Sequence, residues 1–234
     1  MEPIPASRRA IERLDALGNR KLDVAMRRMA REVTELVPEC VGLSLTIVAD
    51  EVTLTMAATE PGILPLDAVQ YLDGGPCVEA VEHNQVIETA DVLSEERWAM
   101  DGRATAASGV LSSLSMPILD GARVVGGMNL YASTPNAFEG QHDQIAKIVG
   151  AWAPGAVLNA DLSFATRLRA AEAPATLENQ SKVAIALRFI ASSQGVDPDT
   201  AGELLREAAA RAGISQMEVA RTVILFHGED TTED

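Results

Sequence analysis

Hydrophobic positions along the chain change period several times, and each change marks an element. Leu22, Met26, Met29, Val33 and Leu36 recur at helical spacing, which predicts an amphipathic helix that Pro38 ends. Val41–Ala49 and Val52–Ala58, rich in Ser, Thr and β-branched residues, then read as two strands joined at Asp50-Glu51. The central signal lies in Ser112 to Ser133, where two apolar runs meet at Asp120-Gly121, a dipeptide that supplies the positive φ of a tight hairpin turn. The first arm alternates, with Leu114, Met116 and Ile118 on one face and Ser113 and Ser115 on the other. The second arm, Val124 to Tyr131, is apolar at nearly every position, as a strand buried on both faces should be. The doublet Gly126-Gly127 weakens that strand, so the close approach of another backbone is expected there.

Punctuation places the rest. Pro61, Gly62 and Pro65 open a loop, and Asp73-Gly74-Gly75-Pro76 sets the N-terminus of a short helix beginning near Cys77. Val86 to Glu88 is a short edge strand, and Asp91 to Ser108, with Trp98, is a mixed helix and loop over one face of the sheet. A long helical stretch starts at Glu139, with Ile145, Ile148, Val149 and Trp152 on one stripe; Pro154 should kink or break it before Leu158, Leu162, Ala165 and Leu168 resume. Two uses of these stripes stay open: a homodimer bundle joining Leu22–Leu36 to Glu139–Leu168, or packing within one subunit. Three helices finish the chain: Asn179 to about Ser193, a second with Asp197 as N-cap and Pro198 at its first position, and a third opened by the capping box Ser215-Gln216-Met217-Glu218.

Within this pattern, the run LDGGPCVEAVEHNQVIETADV (Leu72 to Val92), then Trp98, GVLSSLSMPIL, VVGGMNLYAS and a Phe before a helix resembles the GAF sensor domain, in particular the branch with Gly-Pro-Cys before its short helix and an ANTAR output domain behind it. The resemblance implies an α+β fold, a GAF-like antiparallel sheet flanked by helices and followed by a small three-helix C-terminal domain. The expected limits are a helical extension over 1–20, the sensor over 21–158, a connector over 159–175, the three-helix domain over 176–228 and an acidic tail over 229–234.

Composition narrows the chemistry. Only two cysteines, Cys40 and Cys77, and three scattered histidines are present, which makes neither a disulfide framework nor a metal-ligand pattern, so no structural metal is expected. No apolar run approaches the ~18 to 20 residues needed to cross a bilayer, which sets a cytoplasmic expectation without membrane association. Catalytic signatures such as Gly-x-Ser-x-Gly or a P-loop are missing from the sequence, and the chain reads as a non-enzymatic regulator. Cys77 has two readings: a thiol activated at a helix N-terminus, or a small core residue facing the sheet. The first would admit a GAF-fold thiol or sulfoxide redox enzyme. The ligand of such a sensor is unknown; its pocket is expected on the sheet face under the 60s to 100s segment, lined by Cys77, Trp98, Met116 and Asn129.

The last fifty residues resemble an ANTAR domain, the helical RNA-binding module of transcription antiterminators, through Val183, Ala186, Gly195, Ala201, Leu204-Leu205-Arg206, Ala208 and Val219-Ala220. That resemblance implies RNA hairpins as partners, with Lys182, Arg188, Arg206 and Arg211 as the RNA-binding residues. Charge opposes it. The whole chain carries a formal net charge of -15, residues 176 to 228 hold five basic side chains against six acidic ones, and Leu187-Arg188 stands where the family has Lys-Gly. Two alternatives follow for the same residues: a DNA-binding helix-turn-helix over Leu205 to Ile224 with Ser215 to Thr222 as its recognition helix, and a degenerate output domain that binds protein.

Overall fold

The computed structural model describes residues 22–49, 52–158 and 177–227. The expected N-terminal helix, the Leu162–Leu168 stripe, the linker and the acidic tail lie outside the described residues. Helix α1 (Leu22–Leu36) leads into strands β1 (Cys40–Ala49) and β2 (Val52–Ala58), helices α2 (Leu64–Asp73) and α3 (Pro76–His83), strand β3 (Ile87–Thr89), helix α4 (Ala99–Ala107), strands β4 (Ser112–Asp120) and β5 (Arg123–Ala132), and helix α5 (His142–Leu158). Helices α6 (Leu177–Gln194), α7 (Pro198–Ala212) and α8 (Gln216–His227) follow.

The sheet has five strands in the order β2-β1-β5-β4-β3, each antiparallel to its neighbours. The predicted hairpin therefore sits inside the sheet, and Gly121 makes its turn at φ 62°. Its alternation sorts the two faces as expected. Leu114, Met116, Ile118, Met128 and Leu130 join Leu43, Leu45, Ile47, Leu54 and Met56 in an apolar core closed by α1 and α5. Leu22, Met26, Met29 and Val33 of α1 are all buried in that core, so the stripe that suggested a dimer bundle is used within the subunit. Ser44, Thr46, Thr55, Ser115, Asn129 and Tyr131 point the other way, under α2 and α3.

One expectation is corrected and another narrowed. The segment after Pro61, read as a loop, forms α2, because Pro65 stands in a first helical turn, where its missing N–H costs nothing and its fixed φ suits the helix. Of the two outcomes expected at Pro154, a kink or a break, the break does not occur, since α5 continues to Leu158.

The N-terminal punctuation of α7 and α8 is as predicted, while α6 starts at Leu177, two residues before the expected Asn179. The Asp197 side chain accepts from the amides of Asp199 and Thr200, and Ser215 and Glu218 form the reciprocal capping box. These helices share one apolar cluster with α2 and α4: Ala68, Val69, Leu72, Met100 and Ala104 pack with Ala186, Ile190, Leu205, Ala208, Val219 and Val223.

Gly126 shows why β5 tolerates a glycine doublet. A Cβ there would lie 2.1 Å from the Thr46 carbonyl oxygen, whereas one at Gly150, on α5, would meet nothing within 4 Å. Gly126→Ala should cost about 2 kcal/mol or more, and Gly150→Ala should be neutral or stabilising by up to ~1 kcal/mol. Urea unfolding of the two variants checks this. Equal effects would contradict the close approach.

Candidate functional site

The polar face of the sheet is organised by one carboxylate. Asp67, in the first turn of α2, is 1% exposed. Its Oδ1 accepts from Tyr131 (2.7 Å), Ser44 (2.9 Å) and the Asn129 amide (3.2 Å), while Oδ2 accepts from Thr55 (2.9 Å). A carboxylate buried without such donors would cost several kcal/mol, so these residues stand or fall together. Burial still dominates and raises the pKa of Asp67 above the usual carboxylate value, with the hydrogen bonds from Tyr131, Ser44, Thr55 and Asn129 opposing it.

Proton counting extends the network in two directions. Thr55 gives its one hydroxyl proton to Asp67, so the Tyr71 hydroxyl, 2.7 Å away, must donate to Thr55. Tyr131 gives its proton to Asp67 and accepts from the Gln70 amide at 3.0 Å, and Gln70 Oε1 accepts from the Cys77 backbone N–H at 2.8 Å. Asn129 also donates to Ser44, and its carbonyl oxygen accepts from Ser115. Burial first, and the nearby Asp67 second, push both tyrosines well above their ordinary pKa. At the α4 side Asp101 and Thr105 are buried one helical turn apart, and burial, reinforced by Asp67 and Asp73 and opposed by the Thr105 hydroxyl, holds Asp101 well above the carboxylate range.

Of the four residues expected to line a pocket, the structure brings Cys77 and Asn129 together. The Cys77 sulfur lies 3.7 Å from the Thr46 hydroxyl. Trp98 sits apart, packed with Ala80 and Ile87, with the Arg97 guanidinium 4.0 Å above its ring. Met116 lies across the sheet in the core under α1 and α5, because β4 alternates and its even-numbered residues face away from Asn129. Asp67, Gln70 and Tyr71 escaped the sequence reading since they sit on the helix taken for a loop; the signal was Pro65 followed by Leu66, Val69 and Leu72 at helical spacing.

The position of Cys77 at a helix start does not activate it. Burial first, then the negative field of Asp67, push its thiol up to about 12, and burial raises Cys40 to about 11. Neither supplies a thiolate near neutral pH. Among the described residues no group of His, Cys, Asp and Glu is placed to hold a metal ion.

The expected RNA-binding residues differ in exposure. Arg188 is exposed on α6, Lys182 and Arg206 are half-buried, and Arg211 turns inward. The Arg211 guanidinium lies 4.1 Å over the Tyr71 ring, and its Nε donates to the Thr53 carbonyl oxygen of edge strand β2 at 2.8 Å. Three residues beyond Ala208, Arg211 flanks the stripe by which α7 packs on α2, so in this arrangement it faces Tyr71 instead of an exposed surface. A second polar tie joins Gln194 of α6 to the Asp73 carboxylate of α2.

With a thiol held at about 12, Cys77 in the native protein should resist a maleimide at pH 7 while unfolded protein reacts at once. Mass spectrometry after timed labelling gives the answer. Rapid native modification of Cys77 would overturn its assignment as a core residue.

Comparison with known proteins gives one family. The model described as a GAF domain matches residues 19–152. No curated protein matches the chain. Similar solved structures include a type II free methionine-R-sulfoxide reductase from Thermoplasma acidophilum, 15% identical, with 59% of this chain and 97% of that one covered at a TM-score of 0.43. Another is a GAF domain/HD domain protein from Geobacter sulfurreducens, 14% identical, with 63% and 94% covered at a TM-score of 0.41.

Proposed function

This chain belongs to the GAF domain family, and on that premise we propose that it is a cytoplasmic signal-sensing regulator whose sensor controls an ANTAR-like RNA-binding output formed by α6, α7 and α8. The observation that carries this reading is the shared core: the output helices pack on α2 and α4, and α2 carries Asp67 over the polar face of the sheet. A ligand that shifts that helix is felt at once by the output helices.

The ANTAR reading is supported by where its matching residues lie. Ala186, Ala201, Leu205, Ala208, Val219 and Ala220 are all fully buried and together form the helical core. A helix-turn-helix use of the same segment is disfavoured by packing. Helix α8 lies against α6, α7, α2 and α4, and Glu218 is engaged in the capping box. A thiol enzyme is disfavoured by the burial of Cys77, which pushes its thiol up to about 12.

Titration with a hairpin RNA at two salt concentrations tests the output. Each phosphate contact contributes about 0.7 to 0.9 to the slope of log K against log salt, so Arg188→Ala should weaken binding and flatten the slope by roughly one contact. Wild-type protein that leaves RNA unbound at low salt, with ligand present, would require the antitermination reading to be withdrawn.

The homodimer belongs to the same proposal, now through the outer side of the α1 and α5 pair, where Glu32, Glu35, Leu36, Gln144, Lys147 and Ile148 line an open groove. Light scattering should give twice 24.8 kDa. A monomer mass at tens of micromolar, unchanged by Ile148→Glu, would remove the dimer.

A further inference from the structure

Tyr71 belongs to two systems at once. Its hydroxyl donates to Thr55, which donates to Asp67, and its ring is the platform on which Arg211 lies. Arg211 reaches this platform from α7 and is fixed there by the Thr53 carbonyl on the outermost strand of the sheet. Gln194 ties the end of α6 to Asp73 at the end of the helix that carries Tyr71.

We propose that Arg211 is a latch: stacked on Tyr71 and bonded to Thr53, it holds the output helices closed against the sensor and is withheld from RNA until the Asp67 network is disturbed. This rests on the RNA-binding reading above and adds its regulation. The charge count shows why one arginine matters. With the three-helix segment close to electrically neutral, binding depends on very few phosphate contacts, and the latch removes one of them. The geometry also gives the route from signal to release. Any ligand or proton that takes the Thr55 hydroxyl away from Asp67 moves the Tyr71 hydroxyl with it, and the ring that supports the guanidinium tilts or withdraws. Arginine suits this role better than lysine, since its planar group stacks on the ring while its Nε still reaches a carbonyl.

The test uses the full-length chain and two readouts, hydrogen exchange by mass spectrometry over residues 177–227 and titration of a hairpin RNA at two salt concentrations. Tyr71→Leu removes the platform and leaves Arg211 in place; Gln194→Ala removes the second tie at a partly buried position and keeps the experiment decisive if Tyr71→Leu fails to fold. Both variants should accelerate exchange in 177–227, by about tenfold for Tyr71→Leu given what a cation-π contact and a hydrogen bond are worth. Both should bind RNA more tightly than wild type, with a salt slope steeper by about 0.7 to 0.9. Arg211→Lys should also bind more tightly than wild type, whereas Arg211→Ala should open the helices without that gain. Faster exchange in 177–227 with RNA bound by none of the proteins would support the latch and sink the RNA reading alone. Unchanged exchange in the folded variants, or opened variants that bind RNA no better than a wild type that does bind, would overturn the latch.

Discussion

A carboxylate removed from water without a cationic partner constrains everything around it. Asp67 meets that constraint with three hydroxyls and one amide, drawn from β1, β2 and β5, so a single helix residue ties three strands to α2. Such a cluster is high in cost if any member is lost, because each remaining polar atom would be stranded in a medium of low dielectric. It also explains the asymmetry of the sheet. One face is a conventional apolar core under α1 and α5, and the other carries Ser, Thr, Asn and Tyr at the positions where a sheet face would ordinarily be apolar.

The same network gives the molecule its directionality. Its edge toward α3 ends in the backbone amide of Cys77, a closed connection, while its edge toward β2 ends in the Tyr71 ring under Arg211. Between these lies a buried set with raised pKa values for Asp67, Tyr71, Tyr131 and Cys77, each raised first by burial. The arrangement holds the two tyrosines and the thiol in their neutral, hydrogen-bonded forms around the Asp67 carboxylate. This is the chemistry of recognition, and it matches the sensor reading better than a catalytic one.

Periodicity made most of the sheet legible. The alternation of Leu114, Met116 and Ile118 against Ser113 and Ser115 gave the correct faces, and Asp120-Gly121 gave the turn. Local chemistry did the same for the last helices through Asp197 and the Ser215–Glu218 box. What stayed hidden depends on contacts between distant positions. Asp67 looks like one acidic residue among many until four strand residues converge on it, and Arg211 looks like a solvent-facing helix cation until α7 is laid across Tyr71. For Met116 the pattern is sufficient: its alternation puts it on the opposite face from Ser115 and so away from the pocket. Cys77 shows the limit of a local rule: a helix start favours the thiolate, and complete burial outweighs it.

The GAF-like sheet layer and the C-terminal helices are held to be energetically coupled through Tyr71 and Arg211, and a double-mutant cycle on unfolding free energy measures that coupling directly. Tyr71→Leu, Arg211→Ala and the double variant should give an interaction energy of about 1 kcal/mol, the two losses overlapping because each removes the same contact. Losses that add within about 0.3 kcal/mol would show that the ring and the guanidinium stabilise the protein independently, and would contradict the account.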